Sequence, residues 1–445
     1  MNSTPAARSR AMLPLCIFVA VFFGGGLYHY AQGTEFAFYQ IKAPVAALPA
    51  MIVAVLLARG TLEERILPFL RGVGDINIAT MCMVFLLAGA FSKVTGAIGG
   101  VDATVALGLK LLPASFLLPG LFLVSGFIAT AMGTSMGTVA AIAPVAVGIS
   151  QGSDISLALC IGAVVGGAMF GDNLSMISDT TIAATRTQGC NMRDKLLFNI
   201  RIALPAAIVT LLVLTLMGQG GETASRELDN PILVLPYLLV LGLAVSGINV
   251  MVVLMSGIVV STILGMLMAN YSLGQAGNDI YAGFESMVEI MILSMFIGGL
   301  SKMMTEGGGK AWLTQTARKL LSRGGRLSQR ACEFGIAGLV SICNLFTANN
   351  TVAILASGDV ARDLSKEAGV DPRRSASLLD IFSCVVQGVI PWGAQILLAG
   401  SISGLSPLTI AGSVHYVWIL AVVALLAIVT GFPKINKPLK VETTI

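Results

Sequence analysis

Charge is what this sequence has least of. Asp, Glu, Lys and Arg make up 11% of its 445 residues, against roughly 25% in an average soluble domain. That is too little to cover soluble domains of this length, which excludes an ordinary soluble enzyme, a nucleic-acid binder and a disordered chain. Histidine is nearly absent: His29 and His415 lie far apart, near the ends of apolar segments, so neither a zinc site nor a histidine relay is expected. The seven cysteines (Cys16, Cys82, Cys160, Cys190, Cys332, Cys343 and Cys384) include no CxxC pair, are odd in number and sit mostly in apolar runs. They are expected to be small buried residues rather than a disulfide framework. No His/Cys/Ser constellation or metal motif supports an enzyme, and Gly307-Gly308-Gly309-Lys310 lacks the spacing and the preceding strand of a phosphate loop.

What is abundant is apolar surface. Hydrophobic residues make up 56% of the chain and the mean hydropathy is +0.87. A helix crossing a bilayer needs about 20 mostly apolar residues. Such segments run over 12–33, 40–58, 74–98, 154–182, 196–218, 231–247, 249–269, 281–304, 375–400 and 412–432. The first is expected to be an uncleaved span, because it continues past Gly24-Gly25-Gly26 to Tyr30. Two further stretches, 112–150 and 332–361, are interrupted by Thr130-Ala131-Met132-Gly133-Thr134-Ser135 and by Thr347-Ala348-Asn349-Asn350-Thr351. A helix broken there turns back as a re-entrant hairpin, a form that survives at membrane depth only under protein or a watery cavity.

The basic residues test this layout, since Lys and Arg collect in cytoplasmic loops. With both termini inside and each hairpin returning to its own side, only Lys42, Lys93, Lys110 and Arg226 fall outside; the other 23 of the 27 basic residues fall inside. The basic amphipathic stretch Lys310–Arg330 is expected to lie along the inner membrane surface, with Arg186–Arg201 doing likewise.

The halves resemble each other. Gly89-Ala90-Phe91-Ser92-Lys93 parallels Gly298-Gly299-Leu300-Ser301-Lys302 at an offset of 209; farther on, Thr130-Ala131 parallels Thr347-Ala348 and Thr134 parallels Thr351 at 217. The expected fold is therefore an all-α polytopic membrane protein of two inverted repeats, 1–222 and 223–445. Each holds five spans, a hairpin (112–150, 332–361) and a broken helix (154–182, 375–400). An odd number of spans per half turns the second half upside down, so the hairpin tips meet near the midplane. Inverted repeats with interrupted helices are the signature of secondary transporters, which work by alternating access.

The most polar intramembrane stretch is Phe170-Gly171-Asp172-Asn173-Leu174-Ser175-Met176-Ile177-Ser178-Asp179-Thr180-Thr181. Its carboxylates Asp172 and Asp179, with Asn173, Ser175, Ser178 and Thr180, are the oxygen-rich set that a small hard cation such as Na+ requires. A carboxylate in hydrocarbon is costly unless paired, hydrated or protonated, which is why cation and proton compete for one group. The bland alternative puts the stretch in the cytoplasmic loop, since Arg186 follows soon. In the second half stand Gln387-Gly388-Val389-Ile390-Pro391-Trp392-Gly393-Ala394-Gln395. Pro391 breaks the helix, and Val389 rather than an acid aligns with Asp172. Candidate solute contacts are Thr130, Thr134, Ser135, Asn349, Asn350, Thr351, Trp392 and Gln395; the tip residues serve alternatively as caps, and Trp392 as an interfacial anchor. Glu289 and Asp380 are further candidate proton carriers, Asp380 alternatively being paired with Arg373 or Arg374.

Gly171-Asp172-Asn173-Leu174-Ser175-Met176-Ile177-Ser178-Asp179-Thr180-Thr181 resembles the G-D-K-(x)-S-P-x-S-D-T-T stretch of the NhaC-type Na+/H+ antiporter family. Gly133-Thr134-Ser135-Met136-Gly137-Thr138 is similar to its G-T-S-W-G-T element and Ile390-Pro391-Trp392 to its late P-W element; Asn173, Met176 and Met136 depart from the pattern. The resemblance implies a multi-pass protein of the bacterial inner membrane that exchanges Na+ for H+, with Na+ at Asp172 and Asp179, no cofactor and no nucleic acid, and a homodimer as the family expectation. The family also contains exchangers of organic acids and amino-acid carriers, so a coupled carrier of a small amino acid or carboxylate stands as the alternative.

Overall fold

A computed structural model describes residues 6–32, 34, 40–111, 113–176, 178–218, 230–246, 248–321 and 328–433. The expected boundary at 222/223, Arg226 and the basic residues Lys434, Lys437 and Lys440 lie outside them. The described residues form α-helices and no strand. The first half holds α1 (Leu13–Ala31), α2 (Ala43–Leu57), α3 (Leu62–Val73), α4 (Ile76–Ala97), α5 (Gly100–Leu111), α6 (Ala114–Met132), α7 (Ser135–Gln151), α8 (Leu157–Leu174), α9 (Asp179–Gln188) and α10 (Met192–Met217). The second holds α11 (Leu235–Val245), α12 (Val250–Met268), α13 (Leu273–Glu306), α14 (Gly309–Leu321), α15 (Gln329–Thr347), α16 (Asn350–Ala368), α17 (Pro372–Gln387), α18 (Ala394–Ser403), α19 (Pro407–Ser413) and α20 (His415–Thr430).

Each segment expected to span contains an apolar helix. Among the described residues six helical segments suffice, by length and composition, to cross a membrane: Ser9–Gly26, Ile78–Ala97, Leu157–Gln188, Met192–Met217, Val250–Met268 and Leu273–Glu306. The pair α18 and α19, bent by 109°, is apolar enough to be either a broken seventh span or a re-entrant loop; α2, α11 and α20 are apolar but shorter. Large apolar side chains such as Leu56, Leu212, Leu267 and Val422 are more than half exposed, as lipid-facing residues are. None of the seven cysteines forms a disulfide.

The two interrupted stretches turn where their sequence breaks. α6 ends on Gly133 at φ +69, and α15 ends on Ala348 at φ +50, the left-handed conformation that terminates a helix. The next residue caps the returning helix from almost the same backbone conformation: Thr134 at φ −147, ψ 119 accepts from Gly137 N, and Asn349 at φ −145, ψ 115 accepts from Val352 N. Cap roles thus pair Gly133 with Ala348 and Thr134 with Asn349, an offset of 215, where sequence matching suggested 217.

Packing follows the same exchange of halves. α4 packs along α13; α2 lies on α13 as α12 lies on α4. α6 lies against α8 as α15 lies against α17, and the returning arms cross over, α7 onto α18 and α16 onto α9. Small residues permit the closest crossings: a Cβ at Gly89 would strike the Gly283 carbonyl, and one at Gly171 the Gly126 carbonyl.

Candidate functional site

The break between α8 and α9 covers residues 175–178. Asp172 sits in the last turn of α8, 4% exposed. Two hydroxyls from different elements hold it. Ser135 Oγ, in the first turn of α7, donates to Oδ2 at 2.8 Å. Ser178 Oγ, the residue before α9, donates to Oδ1 and also pairs with Thr180 Oγ1 at 2.8 Å. Asp172, Asn173, Ser175, Ser178 and Thr180 of this stretch are therefore buried inside the protein. Asp179 differs: it is exposed in the first turn of α9.

The break between α17 and α18 covers residues 388–393, and its side chains reach back to the same place. Gln395 Nε2 donates to Ser135 Oγ at 3.0 Å. Gln387 Nε2 donates to Gln395 Oε1 at 2.9 Å and to the Ala348 carbonyl at 3.1 Å. One polar chain thus runs from the second hairpin tip through Gln387, Gln395 and Ser135 to Asp172. The starts of α9 and α18 are also 215 residues apart, which sets Gln387, not Val389, opposite Asp172.

Most remaining tip residues serve the backbone. Thr134 and Asn349 are N-caps, as above. Thr130 Oγ1 donates to Gly126 O at 2.8 Å and to Gly171 O at 3.3 Å, tying α6 to α8. Asn350 accepts from Thr351 N at 3.1 Å and its amide faces Cys384 Sγ at 4.0 Å. Trp392 is buried; its Nε1 donates to Leu345 O at 3.1 Å and its ring packs edge-on against Phe18 and Phe23. It staples the second break to α15 and α1 and is not an interfacial anchor.

Two expectations about charge are corrected. Asp380, wholly buried, pairs with neither Arg373 nor Arg374. Its partner is Lys195 of α10, at 2.5 Å and equally buried; Arg373 binds Asp371 and Arg374 binds Glu333. Lys195 is therefore not part of a surface-lying basic stretch. Asn199, one turn on, donates to the same Asp380 Oδ2 at 2.7 Å and to the Asn173 carbonyl at 3.0 Å. Lys195 Nζ adds Thr181 Oγ1 at 2.7 Å and Asn173 O at 3.4 Å. Sequence reasoning missed Lys195 and Asn199. The signal was their place on one stripe of α10 with Ile202, Ala203, Ala206 and Thr210, all buried. Glu289 is not drawn into this cluster. It pairs with Lys42 at 3.0 Å in a separate cavity of about 240 Å³ lined also by Ser286, Ser401 and Gly404.

The oxygens around Asp172 are one carboxylate and a set of hydroxyls, donors suited to a small monovalent cation or a proton. Among the described residues no three His, Cys, Asp or Glu side chains gather as a metal site.

Comparison with known proteins gives the same direction. The model of the Na+/H+ antiporter family matches residues 15–219. The Na+/H+ antiporter NhaC of Bacillus subtilis is 25% identical over 72% of this chain and 77% of its own. The malate-2H+/Na+-lactate antiporter of the same organism is 21% identical over 81% and 82%. The arginine/ornithine antiporter ArcD of Halobacterium salinarum is 24% identical over 73% of each chain.

Proposed function

We propose that this chain, whose residues 15–219 match the model of the Na+/H+ antiporter family, exchanges Na+ for H+ by alternating access, with the two ions competing for the carboxylate of Asp172. The observation that carries the reading is that carboxylate's setting. It is buried at a helix break, held by Ser135 and Ser178 from two separate elements, and has no ion-pair partner within bonding distance among the described residues. A buried carboxylate of this kind is costly as a bare anion, and either Na+ or a proton relieves the cost. Ser178, Thr180 and Ser175 complete the oxygen cage, and Asp179 offers a second carboxylate at its edge.

The matched cap geometry and the crossed packing of the arms support an inverted pair of repeats. In that arrangement, exchanging the conformations of the two halves carries the site from one face of the bilayer to the other. The purified protein in vesicles tests the reading. Added Na+ should dissipate an imposed pH gradient, and Asp172→Asn should abolish the effect; Na+-independent proton movement, or full activity of that variant, would sink the proposal.

One observation favours a second reading, a Na+- or H+-coupled carrier of a small amino acid or carboxylate. A bare cation does not need the amide chain of Gln387 and Gln395 that joins Ser135 to the second tip. Two relatives are antiporters of that kind, one named for malate and lactate and one for arginine and ornithine. A thermal-shift screen of metabolites separates the two: a Na+-dependent shift with one organic ligand selects the second.

A further inference from the structure

Three buried charges meet beside the first helix break. Asp172 and Asp380 are acids, Lys195 is a base, and the three are 4%, 0% and 0% exposed. Lys195 Nζ lies 2.5 Å from Asp380 Oδ2 and is fixed further by Thr181 Oγ1 and the Asn173 carbonyl. It therefore spans from the first half's broken helix to α17 of the second half. Both Asp380 and Lys195 act electrostatically on Asp172. With all three ionised the cluster holds one net negative charge. A group of charges away from water is stable only when its sum is near zero. One monovalent cation at Asp172 brings the sum to zero, whether that cation is Na+ or H+. A second cation at Asp380 would leave the Lys195 ammonium uncompensated.

We propose that Lys195 is a tethered cation occupying the second carboxylate, which restricts the site to one exchangeable monovalent cation and makes transport electroneutral, one Na+ for one H+. The proposal rests on the Na+/H+ reading above and adds its stoichiometry. It also states what Lys195 holds off. Asp380 Oδ1 is buried without a hydrogen-bond partner, so removing the ammonium opens a place for a second cation next to the first.

The test uses the full-length protein in proteoliposomes, with Na+-driven proton movement followed by an internal pH dye and the membrane potential clamped by K+ and valinomycin. Net proton movement should vanish when the Na+ and H+ concentration ratios across the membrane are equal, and the null point should not move with the clamped potential. A null point at the square of either ratio, or one that shifts with potential, overturns the proposal. Lys195→Met leaves two carboxylates to be balanced by two monovalent cations, so it should turn the Na+ dependence of the rate from first toward second order while the null point stays insensitive to potential; an unchanged order overturns the role of Lys195. Should that variant fail to fold, Lys195→Met/Asp380→Asn removes both charges together and is expected to keep the one-for-one null point, a potential-sensitive one counting against the proposal. A wild-type protein with no Na+-driven proton movement whatever yields zero flux instead of a wrong ratio. That result sinks the Na+/H+ reading itself and the stoichiometry with it.

Discussion

Ser135 donates its hydroxyl hydrogen to Asp172 Oδ2 at 2.8 Å while its oxygen accepts from Gln395 Nε2 at 3.0 Å. One hydroxyl at a hairpin tip thereby joins the broken helix of the first half to that of the second. Hydrogen bonds to a charged group contribute about 1.5–3 kcal/mol, so Ser135→Ala withdraws support from the Asp172 anion. The half-saturating Na+ concentration for proton movement should rise on the order of tenfold, with the protein still folded. Asp172→Asn, by contrast, should reduce Na+-driven flux to that of protein-free vesicles. Equal Na+ affinity in Ser135→Ala and wild type would show that the hydroxyl does not serve the ion.

Much of this was legible in the sequence, for identifiable reasons. The hairpins were visible because Gly133-Thr134 and Ala348-Asn349 are backbone signals: a left-handed stop followed at once by a capping side chain. The acidic break was visible because Asp172 is an acid in an otherwise apolar run. The partner of Asp380 was not visible. Lys195 lies 185 residues away in sequence, among Arg193 and Arg201, and local composition makes it look like one more loop cation. Only the docking of α10 against α8 and α17 turns its stripe inward. At the tips, matched cap geometry pairs residues 215 apart, while Thr–Ala sequence matches, which are frequent, pair residues 217 apart.

Glu289 offers a contrast with Asp172. Its ion pair with Lys42 has side chains 42% and 56% exposed, and it faces a cavity separate from the Asp172 cluster. Exposed pairs contribute about 0–1 kcal/mol. Glu289→Gln is therefore expected to leave both the melting temperature and the Na+ dependence of proton movement close to wild type. Loss of Na+-coupled flux in this variant would make Glu289 a proton carrier and move the coupling away from Asp172 alone.

The tight crossing of α6 and α8 sets the position of Asp172, and it depends on glycine. A Cβ at Gly167 would meet the Phe122 carbonyl and lie 2.9 Å from Ser125 Cβ. Both neighbours belong to α6, and one is backbone, which cannot swing aside. Gly167→Ala should destabilise the protein by about 1–3 kcal/mol through overpacking, seen as a lower melting temperature in detergent. Gly338→Ala in α15, where nothing lies within 4 Å of the added carbon, is the control and should melt no lower than wild type. Equal behaviour of the two variants would mean that α6 and α8 are not in close contact.

Arg374 and Glu333 form the other deeply buried ion pair among the described residues. Their side chains are each 7% exposed, with Arg374 Nε 2.5 Å from Glu333 Oε1 and Nη2 2.7 Å from Oε2. The guanidinium also donates to the Phe432 and Ala427 carbonyls at 3.0 Å each, so it binds the end of α20 to α15 and α17. Removing one partner leaves a buried charge unpaired, which costs about 3–5 kcal/mol. Arg374→Met should therefore lower stability by that amount and loosen α20, detectable as faster hydrogen exchange near residue 427. Replacing both at once, Arg374→Met/Glu333→Leu, removes the unpaired charge and should recover most of the loss, because apolar pairs of similar volume are often as stable as buried ion pairs. If the double variant is no more stable than Arg374→Met alone, the carbonyl contacts to α20 rather than the charge balance hold this corner of the molecule together.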